Sequence, residues 1–208
     1  MKFKESDSCL LVIDVQLDFC PGGALSVDQG DHVVEPINKL MKNFSNVVLT
    51  QDWHPESHSS FASSHQGSKP FSEMQLPYGA QTLWPDHCIQ NSRGAEFHPE
   101  LNTAYAHSII RKGFRHEVDS YSAFFENDGQ TVTGLQGWLS SKQIKSVYLA
   151  GLATDFCVAY SALDAVRLGF DTTVILSACR AINLEGSLDR QLTNMQHAGV
   201  TLLEKILE

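Results

Sequence analysis

The chain lacks long apolar stretches and an excess of positive charge. None of its hydrophobic runs approaches the ~18 residues that a transmembrane helix needs. The 15 Lys and Arg residues stand against 24 Asp and Glu residues, which gives a formal net charge of -9. This balance disfavours nucleic acid and anionic membranes as partners, because no basic stripe exists to neutralise phosphates. A small uncharged or cationic ligand is more compatible with it.

The features of a signal peptide and of a disulfide framework are also missing from the sequence. Residues 1–8 are polar and have neither the basic start nor the apolar run of a signal peptide. The five cysteines are an odd number scattered through a mid-sized chain, unlike those of small secreted domains. We therefore expect a cytoplasmic protein with reduced thiols.

What is present is the composition of an ordinary globular protein, and 208 residues suit one domain over 1–208. Short apolar runs recur that are typical of strands buried on both faces. They are residues 10–13, 47–49, 108–110, 147–150, 173–176 and 200–203. Between several of them apolar residues recur at helical spacing, in 34–41, 135–139, 158–168 and 188–198. This alternation predicts an α/β fold with a parallel sheet and helices on both faces.

One long segment departs from the alternation. Residues 52–106 are rich in Pro, Ser, His and Gly and show no sustained periodicity. Long irregular connections in compact domains are usually functional or disordered. The aromatic residues and histidines here favour an ordered, functional segment.

Cys157 is the candidate nucleophile. Residues 151–158 (GLATDFCV) follow a predicted strand and open a predicted helix, and ligands of open α/β sheets bind at such strand ends. At a helix start, the dipole and unpaired backbone N–H groups would lower the pKa of the thiol and supply donors for an oxyanion. The alternative interpretation is a small buried hydrophobe.

Two charged residues stand at the ends of other predicted strands. Asp14 closes the first strand and is a candidate base, and Lys112 follows the strand at 108–110 and could stabilise a thiolate. Taken singly, a loop-capping Asp and an exposed Lys are equally good interpretations.

A candidate metal site lies in the long segment. Asp52 and His54 alternate along an extended stretch and can ligate one cation, His87 would complete a three-ligand set, and His58 is a weaker candidate. Two His and one carboxylate leave positions open for water or substrate and accept Zn²⁺, Fe²⁺ or Mn²⁺. Scattered surface histidines are the alternative, since the chain has nine.

Aromatic residues are expected around the same crevice. Phe19, Trp84 and Tyr121 lie in predicted loops, and flat apolar walls of this kind suit an aromatic ring as ligand. Each of them could equally be an anchor in the core.

Five stretches, in this order, together resemble the isochorismatase-like cysteine hydrolases, and most closely the nicotinamidases, also called pyrazinamidases. They are residues 13–19, then 51–55 with 58 and 60–62, then 83–88, then 112–113 with 119–125, and 151–158, and the resemblance runs from about Leu10 to Leu203. It implies a three-layer α/β/α sandwich whose six-stranded parallel sheet has the strand order 3-2-1-4-5-6.

The resemblance implies a role for each candidate. Asp14 is the general base, Lys112 the stabilising cation and Cys157 the nucleophile. One divalent ion, zinc in the first place, is ligated by Asp52, His54 and His87.

The resemblance also implies the surroundings of the substrate. The backbone N–H groups of Ala153 and Cys157 form an oxyanion hole, with a cis peptide expected at Leu152-Ala153. Phe19 and Trp84 stack on the substrate ring. The lesser wall candidates are Tyr121, Leu152 and Phe156.

The activity so implied is hydrolysis of nicotinamide to nicotinic acid and ammonia through a Cys157 thioester, as in NAD salvage, with pyrazinamide as a further substrate. The partner is then a small molecule, and the chain is a monomer or a homo-oligomer. Another amidohydrolase acting on a carbamoyl or ureido compound without a metal is the alternative. An ether hydrolase without a nucleophilic cysteine and a non-catalytic binding protein are more distant ones.

Overall fold

The computed structural model describes residues 6–204, so residues 1–5 of the polar N-terminal segment lie outside the described part. In chain order the strands are β1 (Ser8–Ile13), β2 (Val47–Asp52), β3 (Glu73–Leu76), β4 (Gly79–Thr82), β5 (Ser108–Lys112), β6 (Ser146–Leu152), β7 (Asp171–Arg180) and β8 (Thr201–Leu203). The α-helices are α1 (Val34–Met41), α2 (Leu135–Ser141), α3 (Ala159–Arg167) and α4 (Ser187–Ala198). Among these helices none is long and apolar enough to cross a membrane, since the longest, α4, has 12 residues.

Six strands form one parallel sheet in the order β5-β2-β1-β6-β7-β8. Counted without the separate β3–β4 hairpin, this is the order 3-2-1-4-5-6, so the expected topology is confirmed. All six predicted strands are present, and the predicted helices correspond to α1 to α4.

The two faces of the sheet are both buried. Along β1, Leu10 and Val12 belong to one hydrophobic cluster and Leu11 and Ile13 to the other. The first cluster includes the apolar face of α1, and the second includes those of α2, α3 and α4. Full burial of each such side chain contributes about 1.5–3 kcal/mol, which explains why nearly continuous apolar runs form these strands.

Local structure differs from expectation in two places. The predicted helix at 158–168 is preceded by a buried π-helical turn, Thr154–Val158, and α3 begins only at Ala159. The long segment 52–106 contains the antiparallel hairpin of β3 and β4. Its strands have four residues each and are partly exposed, which is too short a pattern to predict from periodicity.

Gly151 marks a close approach between β6 and β1. Its φ is +126°, and a Cβ atom there would lie 2.1 Å from the carbonyl oxygen of Ile13, its neighbour in register. Only glycine fits this conformation and this contact. The turn that follows β6 is thereby brought against the end of β1, where Asp14 stands.

Candidate active site

Lys112 lies at the centre of a buried polar cluster at the carboxyl edge of the sheet. Its side chain is completely buried at the end of β5. Its Nζ atom lies 2.9 Å from Asp14 Oδ2, 3.0 Å from Asp52 Oδ1, 2.8 Å from the Ser120 carbonyl oxygen and 3.4 Å from Cys157 Sγ. The structure therefore brings Asp14, Lys112 and Cys157 together, although they come from three separate parts of the chain.

Asp14 is held in place by β2. Its backbone N–H donates to Thr50 Oγ1 at 3.1 Å, and the Thr50 hydroxyl donates to Asp14 Oδ1 at 2.6 Å. Asp14 itself has a φ of +46°, a left-handed conformation that Asp tolerates better than most residues. These contacts turn the remaining carboxylate oxygen toward Lys112.

The charges in this cluster set the proton affinities of its members. Burial raises the pKa of Asp14 above its ordinary value, against the lowering effect of Lys112. Burial opposes the charge on Lys112, but Asp14, Asp52 and Cys157 outweigh it and raise its pKa well above the usual range. The lysine is therefore a permanent cation here.

The thiol of Cys157 differs from the expectation of a lowered pKa. Burial raises the pKa of Cys157 well above its ordinary value, and Lys112 offsets this only in part. The charges of Asp14 and Asp52 and a hydrogen bond with Asp14 raise it further. The prediction from the helix start was wrong because sequence does not show how deeply a thiol is buried. At rest the group is a thiol that is hydrogen-bonded to Asp14.

Asp52, His54 and His87 present converging ligand atoms. Asp52 Oδ2 lies 3.0 Å from His54 Nε2 and 3.4 Å from His87 Nε2. All three side chains are buried, and their ligand atoms lie within 4.8 Å of one another. The three residues thus form the ligand set of a possible metal-binding site.

The backbone sets the tautomers of the two histidines. His54 Nδ1 lies 2.9 Å from the Gly113 carbonyl oxygen, and His87 Nδ1 lies 2.8 Å from that of Pro85. If each Nδ1 carries the N–H, the lone pair of each Nε2 is directed toward Asp52 Oδ2. Three hydrogen-bond acceptors then face one another with no donor between them. Such a group requires a proton or a cation between its members, and carbonyl-bound Nδ1 atoms are the usual support of metal-ligating histidines. The residues present therefore fit a divalent metal ion.

His58 lies close to this group but is engaged elsewhere. A second set of possible ligands combines it with His54 and Asp119. Its Nδ1 accepts from the backbone N–H of Ser60 at 3.2 Å, and its Nε2 lies 2.9 Å from the carbonyl oxygen of Arg115. With one nitrogen accepting and the other donating, His58 has no lone pair left for a cation.

A cavity opens beside the thiol and the candidate metal ligands. It encloses about 320 Å³, including space open to solvent. Its lining residues are Phe19, Leu25, Asp52, Trp84, His87, Asp119, Tyr121, Ala153, Phe156, Cys157 and Ile182. The Trp84 and Phe156 rings meet edge to face at 4.9 Å, and Trp84 Nε1 donates to the Tyr121 hydroxyl at 3.1 Å. Mostly apolar walls with a few polar groups suit a small aromatic ligand.

Leu152 is the exception among the expected wall residues. It is fully buried in the core cluster that contains α1 and does not line the cavity. Leu152 is the last residue of β6. That this side chain contacts a ligand therefore stays a prediction.

The expected cis peptide between Leu152 and Ala153 is present. Ala153 and Cys157 both line the cavity. The Ala153 carbonyl accepts from the backbone N–H groups of Phe156 and Val158, both at 3.1 Å, which ties the start of the π-helical turn to its end.

Several residues that shape the site were not predicted. Asp119 lines the cavity with its Oδ1 atom 4.0 Å from His54 Nε2, and it accepts from Gln81 Nε2 at 2.8 Å. Gln16 brackets the backbone of Asp52, donating to its carbonyl and accepting from its N–H, both at 2.8 Å. Asp119 and Gln16 lie in stretches that carry the family resemblance, so a signal existed. For Leu25 and Ile182 the sequence offered none.

Comparisons with known proteins agree with this geometry. The isochorismatase domain family matches residues 8–205. A nicotinamidase of Acinetobacter baylyi is 49% identical over 201 residues, which cover 96% of this chain and 94% of that protein. A solved nicotinamidase and pyrazinamidase of Acinetobacter baumanii is 53% identical with a TM-score of 0.95, over 96% of both chains. A pyrazinamidase of Pyrococcus horikoshii solved in complex with zinc is 33% identical with a TM-score of 0.78, over 96% of this chain and 99% of that one. The chain therefore belongs to the isochorismatase family.

Proposed function

We propose that the chain is a nicotinamidase, which hydrolyses nicotinamide to nicotinic acid and ammonia and can take pyrazinamide as well. The observation that carries this proposal is the buried contact of Lys112 with Asp14 and Cys157 beside an aromatic-walled cavity. The similarity to nicotinamidases over nearly the whole chain supports the substrate.

Binding depends on the cavity walls. The rings of Phe19, Trp84 and Phe156 enclose the pyridine ring, and Tyr121 is fixed beside them by its bond from Trp84. Asp52, His54 and His87 would hold a divalent ion, zinc in the first place, which would supply a positive centre for the lone pair of the ring nitrogen. These contacts set the carboxamide carbon beside Cys157.

The first half-reaction forms a thioester. Asp14 takes the proton from the Cys157 thiol as Sγ attacks the carboxamide carbon. Lys112 stabilises the negative charge on Asp14 before this transfer and on Sγ during it. The backbone N–H groups of Ala153 and Cys157 donate hydrogen bonds to the carbonyl oxygen and stabilise the negative charge that develops on it. Asp14 then gives its proton to the leaving nitrogen, and ammonia departs.

The second half-reaction releases the acid. Asp14 removes a proton from a water molecule that attacks the thioester carbonyl, and the same two N–H groups stabilise the oxyanion. The carbon–sulfur bond breaks, and the proton on Asp14 returns to Cys157. Because burial raises the pKa of Asp14, its carboxylate is a stronger base than an exposed one.

The carbamoyl or ureido hydrolase without a metal is the less favoured function. Its active site needs no convergence of two histidines on a carboxylate, whereas here both Nδ1 atoms are bonded so that both Nε2 atoms face Asp52. The five free and buried cysteines support the cytoplasm as the compartment.

The test is a panel of primary amides and ureido compounds given to the purified protein, with released ammonia and bound metal measured together. We expect ammonia from nicotinamide and pyrazinamide and about one divalent ion per chain. Release from ureido compounds alone, or from any substrate by protein shown to be free of metal, would contradict the proposal.

A further inference from the structure

Asp155 is a buried acidic residue in the π-helical turn Thr154–Val158, which also contains Cys157. The mechanism proposed above gives it no role. Asp155 is 1% exposed and does not line the substrate cavity, whereas the next two residues, Phe156 and Cys157, do. Its Oδ1 accepts from the backbone N–H of Ile182 at 3.0 Å. Its Oδ2 accepts from the backbone N–H of Asn183 at 2.7 Å and from the Ser187 hydroxyl. All three donors come from a distant part of the chain.

The segment held in this way connects β7 to α4 and borders the cavity. Ile182 contributes a side chain to the cavity wall. Asn183 and Glu185 have φ values of +55° and +48°, which L-residues adopt rarely. A loop with two such residues requires contacts that favour its conformation, and the bonds to Asp155 act on it directly.

We propose that Asp155 is a positioning residue for the substrate pocket. Its hydrogen bonds to the loop at 181–186 hold the Ile182 side chain in the wall of the cavity that Phe156 and Cys157 also line. The distance between Ile182 and these two residues across the cavity is thereby kept constant. Asp155 touches neither the substrate nor the reacting atoms, and its effect is on substrate binding. The inference rests on the proposed function, since it concerns the pocket for the pyridine ring.

Asp155→Asn tests the positioning with little change of shape. An amide has one acceptor oxygen, so its NH₂ group must face either the Ile182 or the Asn183 backbone N–H, and one donor loses its acceptor. We expect KM for nicotinamide to rise about tenfold, the change that one weakened contact produces, while kcat changes far less. Hydrogen–deuterium exchange of the 181–186 amides should become faster.

The matched control is Asp189→Asn, which makes the same charge change at an exposed position in the first turn of α4. It should leave KM and the exchange of the loop unchanged. Equal KM values for Asp155→Asn and Asp189→Asn would overturn the inference.

A double-mutant cycle with Ile182→Ala separates positioning from a general loss of stability. If Asp155 acts through Ile182, the double variant loses clearly less of its kcat/KM than the product of the two single-variant losses predicts. Independent effects that multiply would overturn the inference. Should Asp155→Asn fail to fold, Ser187→Ala replaces it in the cycle, because it removes one donor and keeps both backbone bonds.

Failure of the proposed function can be recognised separately. In that case the unmodified protein releases no ammonia from nicotinamide, and the exchange rates of the 181–186 amides alone decide whether Asp155 holds the loop. Unchanged exchange in Asp155→Asn would then overturn the positioning role.

Discussion

Lys112 is the residue on which the charge balance of the site depends. It is completely buried, and it contacts the thiol of Cys157 and two carboxylates, which would otherwise repel each other. Removing one partner of a buried ion pair typically lowers the free energy of unfolding by about 3–5 kcal/mol, because the remaining charge is buried without compensation. Lys112 therefore supports folding, and in the proposed mechanism it also stabilises the thiolate.

Lys112→Met should destabilise the protein by about 3 kcal/mol or more, because Asp14 and Asp52 remain buried without their cation. Turnover should fall at least about 100-fold, since the thiolate and the base lose their stabilising charge. Denaturant unfolding and ammonia release measure the two effects. The control is Lys142→Met, an exposed position after α2 that should change neither. Unchanged stability of Lys112→Met would contradict the role given to this residue.

At the scale of elements, the strand ends and the loops that follow them build the site together. Gly113, directly after β5, is the clearest instance: its φ is +64°, and its carbonyl accepts from His54 Nδ1. A Cβ atom there would lie 2.5 Å from His54 Cε1. The turn after β5 therefore determines the orientation of His54, a candidate metal ligand that belongs to the segment after β2.

Gly113→Ala should displace the His54 ring and lower the amount of divalent metal that the purified protein retains. Gly129→Ala is the matched control, because Gly129 has a φ of +69° but nothing within 4 Å of its Cβ position. It carries only the cost of a left-handed alanine, about 1–2 kcal/mol. Metal analysis of both variants checks the prediction, and equal metal contents would refute it.

The loop after β5 also contains a buried acid whose ionisation should affect stability. Glu126 is 2% exposed; burial raises its pKa from 4.5 to about 7, although Arg115 lowers it in part. The folded protein thus binds this proton more tightly than the unfolded chain does. The contribution of Glu126 to the free energy of unfolding is therefore lost as pH rises from about 4.5 to about 7.

Unfolding measurements between pH 4.5 and 8 should show this directly. Relative to the unmodified protein, Glu126→Gln should become progressively more stable as pH rises through that window, because its amide does not ionise. Glu117→Gln, at a side chain that is 88% exposed, serves as the control and should follow the unmodified protein. A constant difference between Glu126→Gln and the unmodified protein would show that Glu126 does not titrate there.

At the scale of the whole molecule, the fold could be predicted because its signals are local and repeated. Each sheet strand is an apolar run and each helix has an apolar stripe, and the right-handed crossover rule leaves few arrangements. The strand-end position of Asp14 and Lys112 followed from the same pattern. The sequence could not show how deeply individual side chains are buried: burial raises the pKa of Cys157, and Leu152 packs in the core cluster that contains α1. The β3–β4 hairpin and the cavity residue Ile182 lie in irregular segments, where apolar residues do not recur at the spacing of a helix or a strand.

The most direct test of the covalent route is to quench the protein with acid during turnover of nicotinamide and to locate the acyl group by mass spectrometry. We expect one nicotinoyl group on the peptide that contains Cys157, and no turnover by Cys157→Ala, whose bound metal should be unchanged. A nicotinoyl group on another residue, or turnover retained by Cys157→Ala, would contradict the assignment of Cys157 as the nucleophile.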